Sequence, residues 1–108
     1  MKHIITLLAV LSTSLVWAGN PAQGEKKAQT CFACHGAQGA KPTQADTPIL
    51  AGQVEDYLVR ALNDYKNGVR KNAVMGGKFG QAATLSKQDI EDVAAYFTAQ
   101  SSPLHVKK

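Results

Sequence analysis

Apolar positions recur at helical spacing in two stretches of this chain. Val54, Tyr57, Leu58, Ala61, Leu62 and Tyr65 fall at i, i+3, i+4, i+7, i+8 and i+11, which places them on one stripe. Glu55, Asp56, Arg60, Asn63 and Asp64 take the other faces, and Gly68 stands where a helix would close. Ile90, Val93, Ala94 and Phe97 make a second stripe. It is entered through Ser86-Lys87-Gln88-Asp89, a capping-box pattern, and ends by Pro103. A further helical segment is expected from Asn20-Pro21, with Asn as cap and Pro at the first helical position, running to near Gly36. Gly39, Pro42 and Pro48 predict irregular backbone from Ala37 to Thr47. No strand alternation and no internal repeat is seen, so the expected fold is all-α.

The start of the chain follows a different pattern. Lys2 precedes an apolar run over residues 4–16, interrupted only by Thr6 and by Ser12-Thr13-Ser14, and Val16-Trp17-Ala18 follows. This reads as a secretory leader, residues 1–18, cut after Ala18. The run is short for a transmembrane helix, although an uncleaved anchor is the competing reading. The leader holds no cysteine to carry a lipid. The mature chain is then residues 19–108, a single domain exported to the periplasm. Loss of Lys2 leaves eleven Lys and Arg against eight Asp and Glu, a net charge of +3. The basic residues are scattered, without a dense run interleaved with aromatics, which argues against nucleic-acid binding.

A domain this small buries limited apolar surface and usually carries a staple. The candidate is Cys31-Phe32-Ala33-Cys34-His35, the C-x-x-C-H signature of c-type haem attachment. Two thiols on one turn reach adjacent haem vinyl groups, and the following histidine supplies an axial nitrogen. The competing readings are a thioredoxin-like redox pair and half of a zinc site. The first wants a βαβ context, which the chain lacks. The second wants four ligands, and the mature chain offers Cys31, Cys34, His35 and the distant His105. A disulfide across this spacing would close only a tiny loop and stabilise little.

The sixth iron ligand has few candidates. Met75 is the single methionine after the leader, in the glycine-flanked segment Asn72-Ala73-Val74-Met75-Gly76-Gly77, and it lies on no helical stripe. It is the expected axial ligand with His35; the alternatives are a gap-filling core methionine, ligation by His105, and an open site. Thioether ligation favours Fe(II) and raises the reduction potential.

With these residues placed, the chain resembles the small soluble class I c-type cytochromes of bacteria. The likeness covers essentially the whole mature chain. It rests on Gly24 seven residues before Cys31, on Cys31-x-x-Cys34-His35-Gly36, and on Pro48-Ile49-Leu50-Ala51-Gly52-Gln53. It continues through Tyr57-Leu58, Tyr65-x-x-Gly68-x-Arg70, Met75, Leu85-Ser86 and Asp89-Ile90-x-Asp92-Val93-Ala94-Ala95-Tyr96-Phe97. The resemblance implies the cytochrome c fold: three main helices and loops wrapped around one covalently attached haem, one edge of it exposed. It implies that Gly24 lets the first helix cross the last closely near Tyr96. It also implies that the Pro48 carbonyl accepts the free ring N–H of His35. Arg70 is either a propionate partner or a solvated surface arginine.

The expected function is periplasmic one-electron transfer between redox proteins, namely a membrane oxidase, a reductase or a periplasmic dehydrogenase, by a monomer that is not itself an enzyme. Lys71 and Lys78 flank Met75 and either steer an acidic partner or are ordinary solvated lysines. The rival readings are a dedicated cytochrome subunit of a dehydrogenase, a ligand-binding haem protein with an open sixth position, and a thiol protein without haem.

Overall fold

The computed structural model describes residues 19–104, together with Ala9. The expected leader, residues 1–18 (apart from Ala9), and His105 lie outside the described residues. Four α-helices follow in order, α1 (Pro21–Ala28), α2 (Phe32–His35), α3 (Glu55–Lys66) and α4 (Lys87–Thr98). Single 3₁₀ turns occur at Gln29–Cys31, Ala37–Gly39 and Gln81–Thr84, and no strand is present among the described residues.

Asn20 caps α1 through its side-chain oxygen, which accepts from the N–H groups of Ala22 at 3.0 Å and Gln23 at 3.2 Å. Pro21 then occupies the first helical position, as expected. The segment does reach Gly36, but it is not one uniform helix. The 3₁₀ turn over Gln29–Cys31 tightens it and resets the register between Ala28 and Phe32. Ala28 is fully buried, and Phe32 stands 6.1 Å from Tyr96 and 6.3 Å from Phe97, centroid to centroid.

α4 is the spine of the domain. Both arms of its capping box form: the Asp89 N–H donates to Ser86 Oγ and the Ser86 N–H to Asp89 Oδ2, each at 3.0 Å. These bonds, led by the one from the Ser86 backbone, hold the Asp89 carboxyl below the usual carboxylate range, and Lys27 at 3.7 Å adds to it. All four stripe residues, Ile90, Val93, Ala94 and Phe97, are buried. α1 crosses α4 at Gly24, where a Cβ would stand 1.9 Å from the Asp92 carbonyl oxygen and 2.9 Å from Tyr96 Cβ. Only glycine permits that approach, which bears out its expected role.

α3 packs against α4 from another side, but less completely. Leu58 is buried and Val59 and Leu62 pack on the core, whereas Val54 and Tyr57 are 63 % and 48 % exposed. Val54 is the residue before the helix, not its first turn. The apolar stripe is therefore only partly covered by protein. Its apolar arc is wider than the surface that α4 offers it. Gly68, in the left-handed conformation, ends α3 just after its cap residue Asn67.

Candidate functional site

The expected site residues fall on two structures: the Cys31–His35 turn with the loop that follows it, and the segment between α3 and the Gln81–Thr84 turn. In the first, Gly36 stops α2 with φ +80°, and a Cβ there would stand 2.0 Å from the Lys41 carbonyl oxygen. The chain therefore turns back on itself immediately after His35. The Thr43 N–H donates to the Cys34 carbonyl at 3.0 Å. Farther along, the N–H groups of Leu50 and Ala51 both donate to the Gly39 carbonyl, at 2.8 and 3.1 Å, and the Gly52 N–H donates to the Phe97 carbonyl at 2.9 Å.

This folded loop carries Pro48 to His35. The Pro48 carbonyl oxygen lies 2.8 Å from His35 Nδ1. A carbonyl only accepts, so Nδ1 carries the proton and Nε2 keeps its lone pair. His35 is buried, and among the described residues Nε2 has no hydrogen-bond partner. The arrangement fixes both tautomer and ring plane, the usual condition of a metal-binding imidazole. Beside it, Cys31 is half-buried and Cys34 exposed, and the two thiols are unbridged. Burial pushes the Cys31 thiol up.

In the second structure the glycine-rich segment is firmly tied. Asn72 Oδ1 accepts from the N–H groups of Val74 and Met75, both at 2.9 Å. The Gln81 and Ala82 N–H groups donate to the carbonyls of Val74 and Met75, at 2.9 and 3.1 Å, and the Gly77 N–H reaches the Tyr65 carbonyl at 3.3 Å. Met75 is half-buried. Arg70 is exposed; its Nη1 donates to the Tyr57 hydroxyl at 3.3 Å, and its guanidinium sits 4.9 Å from the Tyr65 ring centroid. The Tyr57 hydrogen bond raises the Arg70 pKa. Lys71 and Lys78 are exposed, with Lys78 Nζ 5.7 Å from the ring of Phe79.

Sequence reasoning does not find Asn72 or Tyr57. The signal for Asn72 is present, since Asn side chains bond the backbone two and three residues on. Tyr57 carries no such signal, because its partner Arg70 is thirteen residues away.

The family model for Cytochrome c matches residues 21–100. The chain belongs to the cytochrome c family. It is 44 % identical over 101 residues to cytochrome c4 of Pseudomonas aeruginosa, covering 92 % of this chain and 48 % of that protein. It is 36 % identical over 104 residues to the thiosulfate dehydrogenase electron acceptor of Thiomonas intermedia, covering 91 % of this chain and 46 % of that protein. The crystal structure of reduced recombinant cytochrome c4 from Pseudomonas stutzeri superposes with a TM-score of 0.67 at 38 % identity, covering 81 % of this chain and 48 % of that one. The chain thus spans about half the length of these relatives.

The cofactor of this cytochrome c is haem c, and Cys31 and Cys34 have the spacing that joins it covalently. The residues present fit it on three counts. Both thiols are free, the buried imidazole offers Nε2 alone, and α3 turns a partly exposed apolar stripe outward, the kind of surface a flat apolar ring covers. Cys31, Cys34, His35 and Pro48 stand together through local backbone geometry. Met75 and Arg70 sit on a separate, tied segment.

Proposed function

We propose that the chain is a periplasmic one-electron carrier in which His35 and Met75 are the axial ligands and Cys31 and Cys34 the points of attachment. The haem iron, alternating between Fe(III) and Fe(II), supplies the redox chemistry. The chain's own residues do the rest. Pro48 fixes the His35 ring and strengthens it as a donor. The Asn72 side chain, accepting from Val74 and Met75, and the backbone N–H groups of Gln81 and Ala82 hold the Met75 segment in one conformation, so that a thioether arrives at its ligand position with little ordering cost. Arg70, already steadied by Tyr57 and Tyr65, offers donors to a propionate. Residues 1–18 act as the leader, and residues 19–108 form the working domain. Among the described residues no helix is long and apolar enough to cross a membrane.

The observation that carries this reading is the 2.8 Å contact between His35 Nδ1 and the Pro48 carbonyl. It orients an imidazole for a metal directly beside two free thiols. The test is an optical spectrum of the purified protein, oxidised and reduced, beside the Met75→Leu variant. The wild type is expected to show a low-spin c-type spectrum that resists carbon monoxide at neutral pH, and the variant to bind it readily. Carbon monoxide binding to the reduced wild type as readily as to the variant would refute His/Met ligation.

A second reading has its own support. The Thiomonas relative is an electron acceptor for thiosulfate dehydrogenase by name. The same site would then serve one dedicated dehydrogenase, not a diffusing pool of partners. Co-purification with a larger catalytic chain distinguishes the two.

A further inference from the structure

Asp92 is the one acidic side chain that is buried among the described residues. It is 6 % exposed, and the ion pair that those residues do show, Lys27 with Asp89, does not involve it. Its Oδ1 accepts from the Asn20 backbone N–H at 2.8 Å and from Gln88 Nε2 at 2.9 Å. Its Oδ2 has no hydrogen-bond partner among the described residues and keeps some contact with solvent. A buried carboxylate without a cation is costly and is normally compensated.

The compensating group is suggested by the residue next to Asn20. Gly19 is buried, and a Cβ placed on it would stand 2.1 Å from the Glu91 carbonyl oxygen and 3.0 Å from Ala95 Cβ. The space therefore admits no side chain. Residues 19 and 20 lie flat along α4, one turn from the crossing at Gly24, with the backbone of Asn20 bonded to Asp92.

We infer that Gly19 is the seated N-terminus of the processed chain and that its α-ammonium group is the cation that pairs with Asp92. This rests on reading residues 1–18 as a leader cut after Ala18. The cut, made by a signal peptidase, adds one water across the Ala18–Gly19 peptide bond. The carboxylate stays on Ala18 and the amine on Gly19, where it takes up a proton at neutral pH, the ordinary α-amino pKa being about 8. Backbone nitrogens of consecutive residues are within about 3.7 Å of each other, so this charge forms within about 6.5 Å of Asp92 Oδ1. Before the cut the same nitrogen is a neutral amide. Processing thus brings an opposite charge to a carboxylate that two hydrogen bonds already hold at the α1–α4 crossing, and the helix pair is fully secured only in the cut chain.

The test uses haem-loaded protein purified after export. Intact mass identifies the first residue, and a start other than Gly19 removes the leader reading and the inference with it. With Gly19 first, the α-amine is acetylated selectively in the wild type and in Asp92→Asn, and denaturant unfolding is measured. Acetylation is expected to lower the folding equilibrium constant about tenfold in the wild type and to leave Asp92→Asn within about twofold. Equal losses in both backgrounds overturn the pairing while leaving the leader reading intact. If Asp92→Asn does not fold, the acetylation rate decides. The native Gly19 amine is expected to react about tenfold more slowly than the same amine in denaturant, and equal rates overturn the inference.

Discussion

The α1–α4 crossing and the Met75 segment are held by different forces. At the crossing, close backbone approach at Gly24 and an aromatic cluster of Phe32, Tyr96 and Phe97 exclude water. Around Met75 there is little burial, and the backbone is fixed by a side-chain cap and a few N–H to carbonyl bonds. Apolar burial in the first is cooperative and sets global stability. The hydrogen bonds of the second are each worth about 1 kcal/mol net, enough to choose a local conformation but little of the total. The contrast teaches that a segment can hold one conformation without being heavily packed, and that damage to the two regions should read out differently.

The strongest way to break the comparison is Phe97→Ala. Phe97 is 2 % exposed and contacts two other rings. A loss of about 4 kcal/mol in denaturant unfolding is expected, with an unchanged haem spectrum in whatever fraction stays folded. Asn72→Ala should do the reverse. It removes the acceptor for two N–H groups, costing about 1.5 kcal/mol, and on the present reading it exposes the iron to carbon monoxide, read in the reduced spectrum. A carbon monoxide response from Phe97→Ala as large as that from Asn72→Ala would erase the distinction.

Ser86→Ala sharpens the first half. Loss of the cap should cost about 1 kcal/mol without altering the spectrum. Its pH dependence has a definite sign. The Asp89 pKa is depressed in the folded state by its bonds to Ser86. The stabilisation is therefore fully present above the unfolded carboxylate value of about 4 and is lost as pH falls through the folded value. The backbone donor at residue 86 survives Ser86→Ala, so wild type and variant should both lose stability on acidification below about pH 4, and the gap between them should narrow only slightly. Tyr57→Phe has the smallest expected effect, a few tenths of a kcal/mol at most, roughly the value of an exposed polar contact. On the proposed propionate role of Arg70 it should instead show in the reduction potential, since it frees Arg70 from one of its two supports.

How far the sequence was legible follows the same division. α4 reads directly from its stripe and capping box because every stripe residue meets protein. α3 reads as a helix from periodicity, but periodicity identifies a face and not what covers it, so the exposure of Val54 and Tyr57 is not foreseen. The 3₁₀ turn at Gln29–Cys31 has no compositional mark. The His35–Pro48 contact follows from family resemblance and not from spacing, because thirteen residues of irregular loop separate the pair. Met75 emerges from counting methionines, whereas its anchor Asn72 depends on a side-chain turn that the hydropathy pattern does not record.

The loop that presents Pro48 hangs from the carboxyl end of α4, where the Gly52 N–H meets the Phe97 carbonyl. The tilt of the imidazole is consequently geared to the last turn of the chain's main strut. Fraying at that end would twist the ring before the rest of the molecule melted, so warming should shift the colour of the pigment ahead of the main loss of helix.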